Sequence, residues 1–538
     1  MVSRQPRCPG STRQPIANPI RNAAIGARDA LPIVRMTCPG TPTSQSQVRL
    51  DLALDYARAW FLGQALDVLA DAAPEQYSGT APLASYYRAW LCHLTHDGSG
   101  ERRHLTAAVR VNPDYCFPAR LEEIAILQHA IATRPRDARA PFFLGNLLYD
   151  RRRHDEAIVR WEHAVRLEPD NAVAWRNLGI AYFNIRHDPR RARAAYDKAV
   201  GANPGDARLL FERDHLWKRL GESPARRLGV LRKHAGLVAS RDDLSIELCA
   251  LLNQTGQPKE ALDILAARRF QPWEGGEGQA LGQHVRTHLA LGKRALRAHK
   301  KAAAIEHFTA ALNPPPNLGE ARHLLANCSD IRYWLGCAHA QANGRAALAN
   351  TRRSPAVHAS EEACRHWVIA AGFKGDFQEM SVRAFSEMTF YSALALRQLG
   401  RNSDATKLLR DLLSHARQLA RTPATIDYFA TSLPTLLLFD DDLDARQKTT
   451  ALFLEAQARL GLGQQAAARK LLNKVLRRDP NHAQAADLLA LPAASVIPPR
   501  SRKASQQKPT PNGSSKAASQ PDRPRPQRPK RQGRVTRA

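Results

Sequence analysis

No run of about 18 apolar residues occurs in this 538-residue chain, so no membrane-spanning helix is expected. Its Arg-rich start lacks the apolar stretch of about 7–15 residues that a secretory leader needs. The start reads as an unstructured extension rather than an organellar transit peptide. The eight cysteines, Cys8, Cys38, Cys92, Cys116, Cys249, Cys328, Cys337 and Cys364, form no C-x-x-C pair. That argues against a disulfide framework and for reduced, mostly buried thiols in a cytoplasmic protein.

Catalytic motifs are missing as well. The sequence has no G-x-x-x-x-G-K-[ST] phosphate loop and no G-x-S-x-G nucleophile elbow. His284 and His288 stand four apart, but Val285 occupies the place where a zinc protease needs Glu. Cys328 and Cys337 with His323 and His339 fit no ligand spacing. Asp440 to Asp442 read as an acidic helix start, favoured by the backbone dipole. No catalytic residue, cofactor or metal is expected.

The basic charge sits largely at the ends. Residues 498–538 hold twelve Lys/Arg against one Asp, and residues 1–49 hold seven Arg against one Asp, in a chain of net charge +29. The C-terminal segment is rich in Pro, Ser and Gln and nearly devoid of large apolar residues. It cannot bury enough surface to offset its chain entropy, so it reads as a disordered basic tail from residue 492. Arg523, Arg525, Arg528, Lys530 and Arg531 could attract a polyanion weakly, but no aromatic residue is there to stack on bases.

What is present is a repeat. Leu144-Gly145, Leu148, Ala157, Trp161, Ala164 and Pro169 recur as Leu178-Gly179, Tyr182, Ala192, Tyr196, Ala199 and Pro204. Gly145 to Gly179 is 34 positions, the period of stacked helix–turn–helix units. Small Gly145 and Ala157 permit close helix approach, Trp161 and Leu148 fill the surrounding space, and Pro169 ends the second helix. The pattern resembles the tetratricopeptide repeat (TPR). That resemblance implies an all-α solenoid whose first helices line a binding groove.

Followed outward, the register continues through Ala89, Leu105 and Ala108, with Glu101 where Ala is usual. A lone helix is expected at 120–132, breaking the pairing. Further units fall at 242–270, 285–316, 386–413 and 449–481. Between Gly336 and Ala363 the spacing is 27 where the repeat has 12, so a disordered insertion is expected near 343–360. The expected organisation is an extension at 1–49, eight or nine helix pairs over 50–491, and the tail.

Four blocks stand outside the repeat: 211–218, 272–278, 373–380 and the pair Asp427-Tyr428-Phe429 with Asp440-Asp441-Asp442. With the repeats, they resemble large bacterial proteins in which a β-sandwich domain of uncharacterised function precedes a TPR region. No stretch of alternating strands precedes residue 50, so the likeness covers only the TPR part. The biased segments 1–49, 343–360 and beyond 497 read either as additions to the array or as sequence outside an original reading frame.

The resemblance places groove candidates at Arg139, Phe142, Asn146, Tyr149, Arg176, Asn177 and Phe183, with Val173 and Ile180 beside them. Asn can bond a peptide backbone, and Arg can bridge carboxylates. Asn146 and Asn177 resemble two positions of carboxylate-clamp TPRs, but Phe142 stands where the clamp has Lys. The expected function is a non-enzymatic, cytoplasmic scaffold that holds a protein or extended peptide. The alternative is an accessory region of a carbohydrate-active or sugar-binding protein, with Trp273, Glu274 and Glu277 as the ligand loop. The glycines of that loop could cradle an anion, but its glutamates oppose a phosphate, which favours a structural loop opening the next helix.

Overall fold

The computed structural model describes residues 42–70, 79–271, 276–341, 360–378, 381–425 and 437–491. The expected insertion near 343–360, the tail from 492 and most of the extension at 1–49 lie outside them. Within the described residues the chain is an α-helical array. It opens with α1 (Pro42–Arg58) and α2 (Leu62–Ala70), then α3 (Ala81–Leu94) and α4 (Gly98–Ala108). The lone α5 (Glu122–Thr133) precedes α6 (Arg139–Asp150) with α7 (His154–Leu167), and α8 (Ala172–Asn184) with α9 (Pro189–Ala202). An irregular triplet follows: α10 (Ala207–Arg219), α11 (Pro224–Lys233) and α12 (Ala235–Ser240). Pairing then resumes with α13 (Asp242–Gln254) and α14 (Pro258–Ala267), α15 (Gln279–Arg297) and α16 (Lys301–Leu312), and α17 (Ser329–Ala340) and α18 (Glu361–Gly372). The last pairs are α19 (Met388–Gln398) with α20 (Asn402–Leu419) and α21 (Leu443–Gly461) with α22 (Gln465–Arg478), closed by α23 (Ala483–Leu489).

Setting aside α5, the triplet and α23, nine two-helix units pack directly among the described residues. One boundary and one non-repeat block differ from expectation. Helix α1 starts at Pro42, inside the segment expected to be an extension, because its buried face runs back from Leu50 to the small polar Ser46. The block at 211–218 belongs to α10 and takes the place of a repeat's first helix. The block at 373–380 includes β1 (Asp376–Gln378), which pairs antiparallel with β2 (Ser381–Arg383), Phe377 opposite Val382.

Local chemistry sets the helix ends. Asn171, Asp188 and Asp206 each accept a backbone N–H in the first turn of α8, α9 and α10, worth about 1 kcal/mol apiece. Turns within pairs pass through left-handed backbone, at Gly256 (φ 82) and, without glycine, at Arg152 (φ 62) and His187 (φ 50). Inside four of the pairs a glycine meets a ring. A Cβ added at Gly145 would lie 2.5 Å from Trp161, and one at Gly179 would lie 2.5 Å from Tyr196. Gly292 against Phe308 and Gly336 against Trp367 repeat the arrangement.

Late repeats also contact early ones. Arg227, fully buried, binds Asp214 through Nε (3.0 Å), Glu247 through Nη2 (2.6 Å) and Asn481 through Nη1 (2.7 Å). Burial opposes charge on Glu247, but facing Lys218 and Arg227 outweigh it and hold its carboxyl well below the usual range. Arg286 pairs with Asp487 (2.9 Å), and Gln254 donates to the Pro480 carbonyl (2.9 Å). The end of α22 and α23 are thereby fastened to α10, α11, α13 and α15.

The ring contacts yield a paired test. Gly179→Ala forces Tyr196 aside and is expected to cost about 1–3 kcal/mol. Gly201→Ala, with nothing within 4 Å of its new Cβ, is expected to be neutral or to stabilise by up to about 1 kcal/mol. Denaturant midpoints of the two variants check the opposite signs.

Candidate functional site

A groove of about 1030 Å³ opens along α6 and α8, between the 113–117 loop and the start of α10. It follows from the repeat, because first helices turn one face inward while their small residues face the second helix. Arg139, Phe142, Asn146, Tyr149, Arg176 and Asn177 all line it, together with Val173 and Ile180. Tyr115 and Phe117, 82% and 69% exposed, form its far wall. Sequence reading missed these two, since they lie in a non-repeating loop where no period marks them.

The polar side chains are largely engaged with their own chain. Arg176 does bridge a carboxylate bidentately, but that carboxylate is buried Glu212, at 2.6 and 2.7 Å. Tyr196 and Arg208 add hydrogen bonds to the same Glu212. Arg139 donates to the carbonyls of Val111 (2.5 Å) and Ala108 (3.1 Å). Neither arginine is therefore available for the ligand carboxylate that the sequence suggested. Asn146 Oδ1 accepts from Trp161 Nε1 (3.0 Å) and from Asn177 Nδ2 (3.1 Å). Because the indole N–H can only donate, the facing atom must be the amide oxygen. The Asn146 Nδ2 amide has no partner among the described residues and is left as a donor on the groove floor. Exposed Asp114, Asp150 and Asp170 give the rim acidic character.

Phe183 is placed differently from expectation. It does not line the open groove; it packs edge-on against Phe439 at 5.3 Å. Phe439 is fully buried and also meets Tyr196 and His215, each at 5.7 Å. Asn184 holds the backbone on both sides of it, donating to the Leu438 carbonyl (3.1 Å) and accepting from the Asp440 N–H (3.0 Å). Arg219 donates to the Asp440 carbonyl (3.2 Å) and the Asp441 carboxylate (3.0 Å). A stretch of the chain about 250 residues away thus lies on the inner face of α8 and α10 as a ligand would. Burial, with a further push from Asp440, raises the Tyr149 phenol above its ordinary value.

The other sequence candidates are dispersed. Trp273 and Glu274 lie outside the described residues; Glu277 is exposed. The glycine-rich loop does hold an anion, and it is internal: Glu320 accepts from Gly278 N (2.6 Å) and Leu281 N (2.7 Å) at the start of α15. His284 bonds the Ala310 carbonyl, and His288 faces His307 at 3.2 Å. His323 stacks on Phe377 and His339 faces His366, so they assemble no site with Cys328 and Cys337. The cysteines of the described residues are free thiols. No helix among those residues is long and apolar enough to cross a membrane.

Comparison with known proteins agrees with this architecture. A family profile described as TPR repeat matches residues 145–185, and one described as tetratricopeptide repeat matches residues 450–482. The chain carries tetratricopeptide repeats. Among curated proteins, 107 residues are 36% identical to mouse protein O-mannosyl-transferase TMTC1, over 18% of this chain and 11% of that protein. The human counterpart matches at 35% over 104 residues, 18% of this chain and 12% of that protein. The chain spans little more than a tenth of these relatives, too little to carry their activity across. Among solved structures, YrrB, a TPR protein with an unusual peptide-binding site, is 19% identical over 35% of this chain and 91% of its own, with a TM-score of 0.27. A tetratricopeptide repeat protein from Parabacteroides merdae is 14% identical over 55% of this chain and 98% of its own, with a TM-score of 0.24.

The docked segment has a pH signature. Burial, then Arg219 and Lys218, push the His215 imidazole from 6.5 to about 4, with Arg227 adding to the shift and Glu247 opposing it. His215 Nε2 accepts from Arg219 (3.4 Å), the residue that also grips Asp441. The folded state binds this proton less readily than the unfolded chain. Its contribution to stability is therefore complete above about pH 6.5 and lost as pH falls toward about 4. Hydrogen exchange at 438–440, corrected for intrinsic rates, is expected to accelerate through that window. His215→Gln should flatten the response.

Proposed function

We propose that this chain is a non-enzymatic scaffold that grips an extended, aromatic-anchored peptide of a partner protein in the α6–α8 groove. One observation carries the reading: the adjoining stretch of the same inner face already holds a non-helical segment, the chain's own 438–441. There an aromatic side chain enters between rings while an asparagine bonds the backbone on either side of it. The open groove offers the same chemistry. Phe142, Tyr149, Tyr115 and Phe117 supply apolar and aromatic walls, and Asn146 supplies an unpaired amide donor for a peptide carbonyl.

Charge refines the partner. Arg139 and Arg176 are committed internally, whereas Asp114 and Asp170 remain exposed on the rim, beside an Asp150 that pairs with Arg151 (3.5 Å). A segment with aromatic or aliphatic anchors flanked by Lys or Arg complements this surface, and its association weakens with salt. The arrangement does not favour an acidic C-terminus held by a carboxylate clamp. Nothing at Glu277 favours the sugar-binding alternative.

The test is selection of peptides from a random displayed library on the full chain, followed by affinity measurement. Aromatic peptides with basic flanks are expected to be enriched. Asn146→Asp keeps the acceptor for Trp161 and Asn177 but removes the donor. It should weaken binding about five- to tenfold, the worth of one lost hydrogen bond. Phe142→Ala should weaken it further. Failure to enrich any peptide, or binding indifferent to both substitutions, would refute the proposal.

A further inference from the structure

Away from the groove, three helices bring together side chains that repeat packing does not require. His93 is in the last turn of α3, Glu101 in the first turn of α4 and His129 in the C-terminal half of α5. His129 Nε2 lies 2.8 Å from Glu101 Oε1, and His93 Nδ1 lies 3.7 Å from Glu101 Oε2. One ligand atom from each residue can be chosen so that all three lie within 4.8 Å of one another. The two imidazole rings face each other at 4.2 Å between centroids.

Glu101 is the telling residue. It holds the position that Ala157, Ala192, Ala261, Ala304, Ala405 and Ala468 hold in other repeats, each of them fully buried. A carboxylate there is surplus to the helix–helix contact. Its side chain is only 13% exposed, and its side-chain ion pairs among the described residues are these two imidazoles. We infer that His93, Glu101 and His129 bind one divalent transition-metal ion of the zinc class.

The donor set decides the ion. Two imidazoles and one carboxylate suit zinc and its neighbours, whereas calcium and magnesium prefer all-oxygen shells and copper(I) prefers sulfur. Tetrahedral zinc with ligand bonds of about 2.0–2.2 Å needs donor atoms roughly 3.4 Å apart. The present 2.8 and 3.7 Å lie within side-chain adjustment of that spacing. His93, half-exposed, leaves a fourth position open to solvent. Helix α5 has no paired second helix of its own, so the ion would tie the array's irregular member to the α3–α4 unit. Because such an ion binds the assembled site and not the unfolded chain, it raises stability by mass action.

Full-length protein stripped with a chelator is titrated with zinc by calorimetry and with cobalt(II) by visible absorption. One zinc per chain is expected, with Kd of about 10 μM or tighter, and thermal stability rises on loading. Glu101→Ala restores the repeat's usual residue, so the fold is retained while a ligand is lost. It and His129→Ala should each weaken zinc binding at least about tenfold. His288→Ala, in the separate His284–His288–His307 cluster, should leave zinc binding unchanged. Absence of saturable binding at about 100 μM zinc would overturn the inference. So would retention of binding in Glu101→Ala and His129→Ala, or its loss in His288→Ala.

Discussion

The close approach of a glycine to an aromatic ring inside four of the helix pairs is the constraint on which the groove rests. With Gly145 beneath Trp161 and Gly179 beneath Tyr196, the second helix can approach the first until the ring covers the backbone. That distance fixes which face of the first helix turns inward, and so places Phe142, Asn146, Tyr149 and Asn177 along one line. Trp161 links the two roles, since its ring packs on Gly145 while its N–H orients the Asn146 amide. Stacking is nearest-neighbour in arrays of this kind, so a ring displaced in one pair shifts the groove formed with the next.

The repeat architecture was legible in the sequence because it is periodic. The 34-residue spacing and the lone α5 are local features, and each declares itself within one or two repeats. Six of the seven groove candidates that the resemblance placed line the groove. What could not be read was which of them were already engaged. Glu212, the partner of Arg176, is 36 residues away, and Phe439, the partner of Phe183, belongs to a block with no register relation to α8. Nothing in a period of 34 encodes a contact across some 250 residues. The start of α1 was hidden for the opposite reason: its buried face continues into Ser46, a residue that hydrophobic patterning does not count.

Departures from the repeat carry the specific chemistry. The Leu438–Asp441 segment, Glu212 in α10 and Glu101 in α4 each replace or interrupt the consensus, and each organises polar groups that the consensus would leave out. Arg227 shows the energetic cost of such an arrangement. Its guanidinium is fully buried among Asp214, Glu247 and Asn481, and removing one member of a set like this leaves an uncompensated charge costing about 3–5 kcal/mol. A polar junction of this kind ties late repeats to early ones at one register, where apolar contact alone would tolerate sliding.

Self-occupancy also determines where an outside ligand can act. The 438–441 segment belongs to the same chain and is held by Asn184, Arg219 and the rings around Phe439. A free peptide offering the same anchor would have to displace all of these contacts. The inner face near Phe183 is therefore covered by the chain itself, and the open groove lies beside it, between Tyr115 and Ile180. The docked segment thereby does two things at once. It completes the hydrophobic core of the early repeats, and it covers the part of the inner face next to a groove with a defined amide donor, aromatic walls and exposed aspartates on its rim.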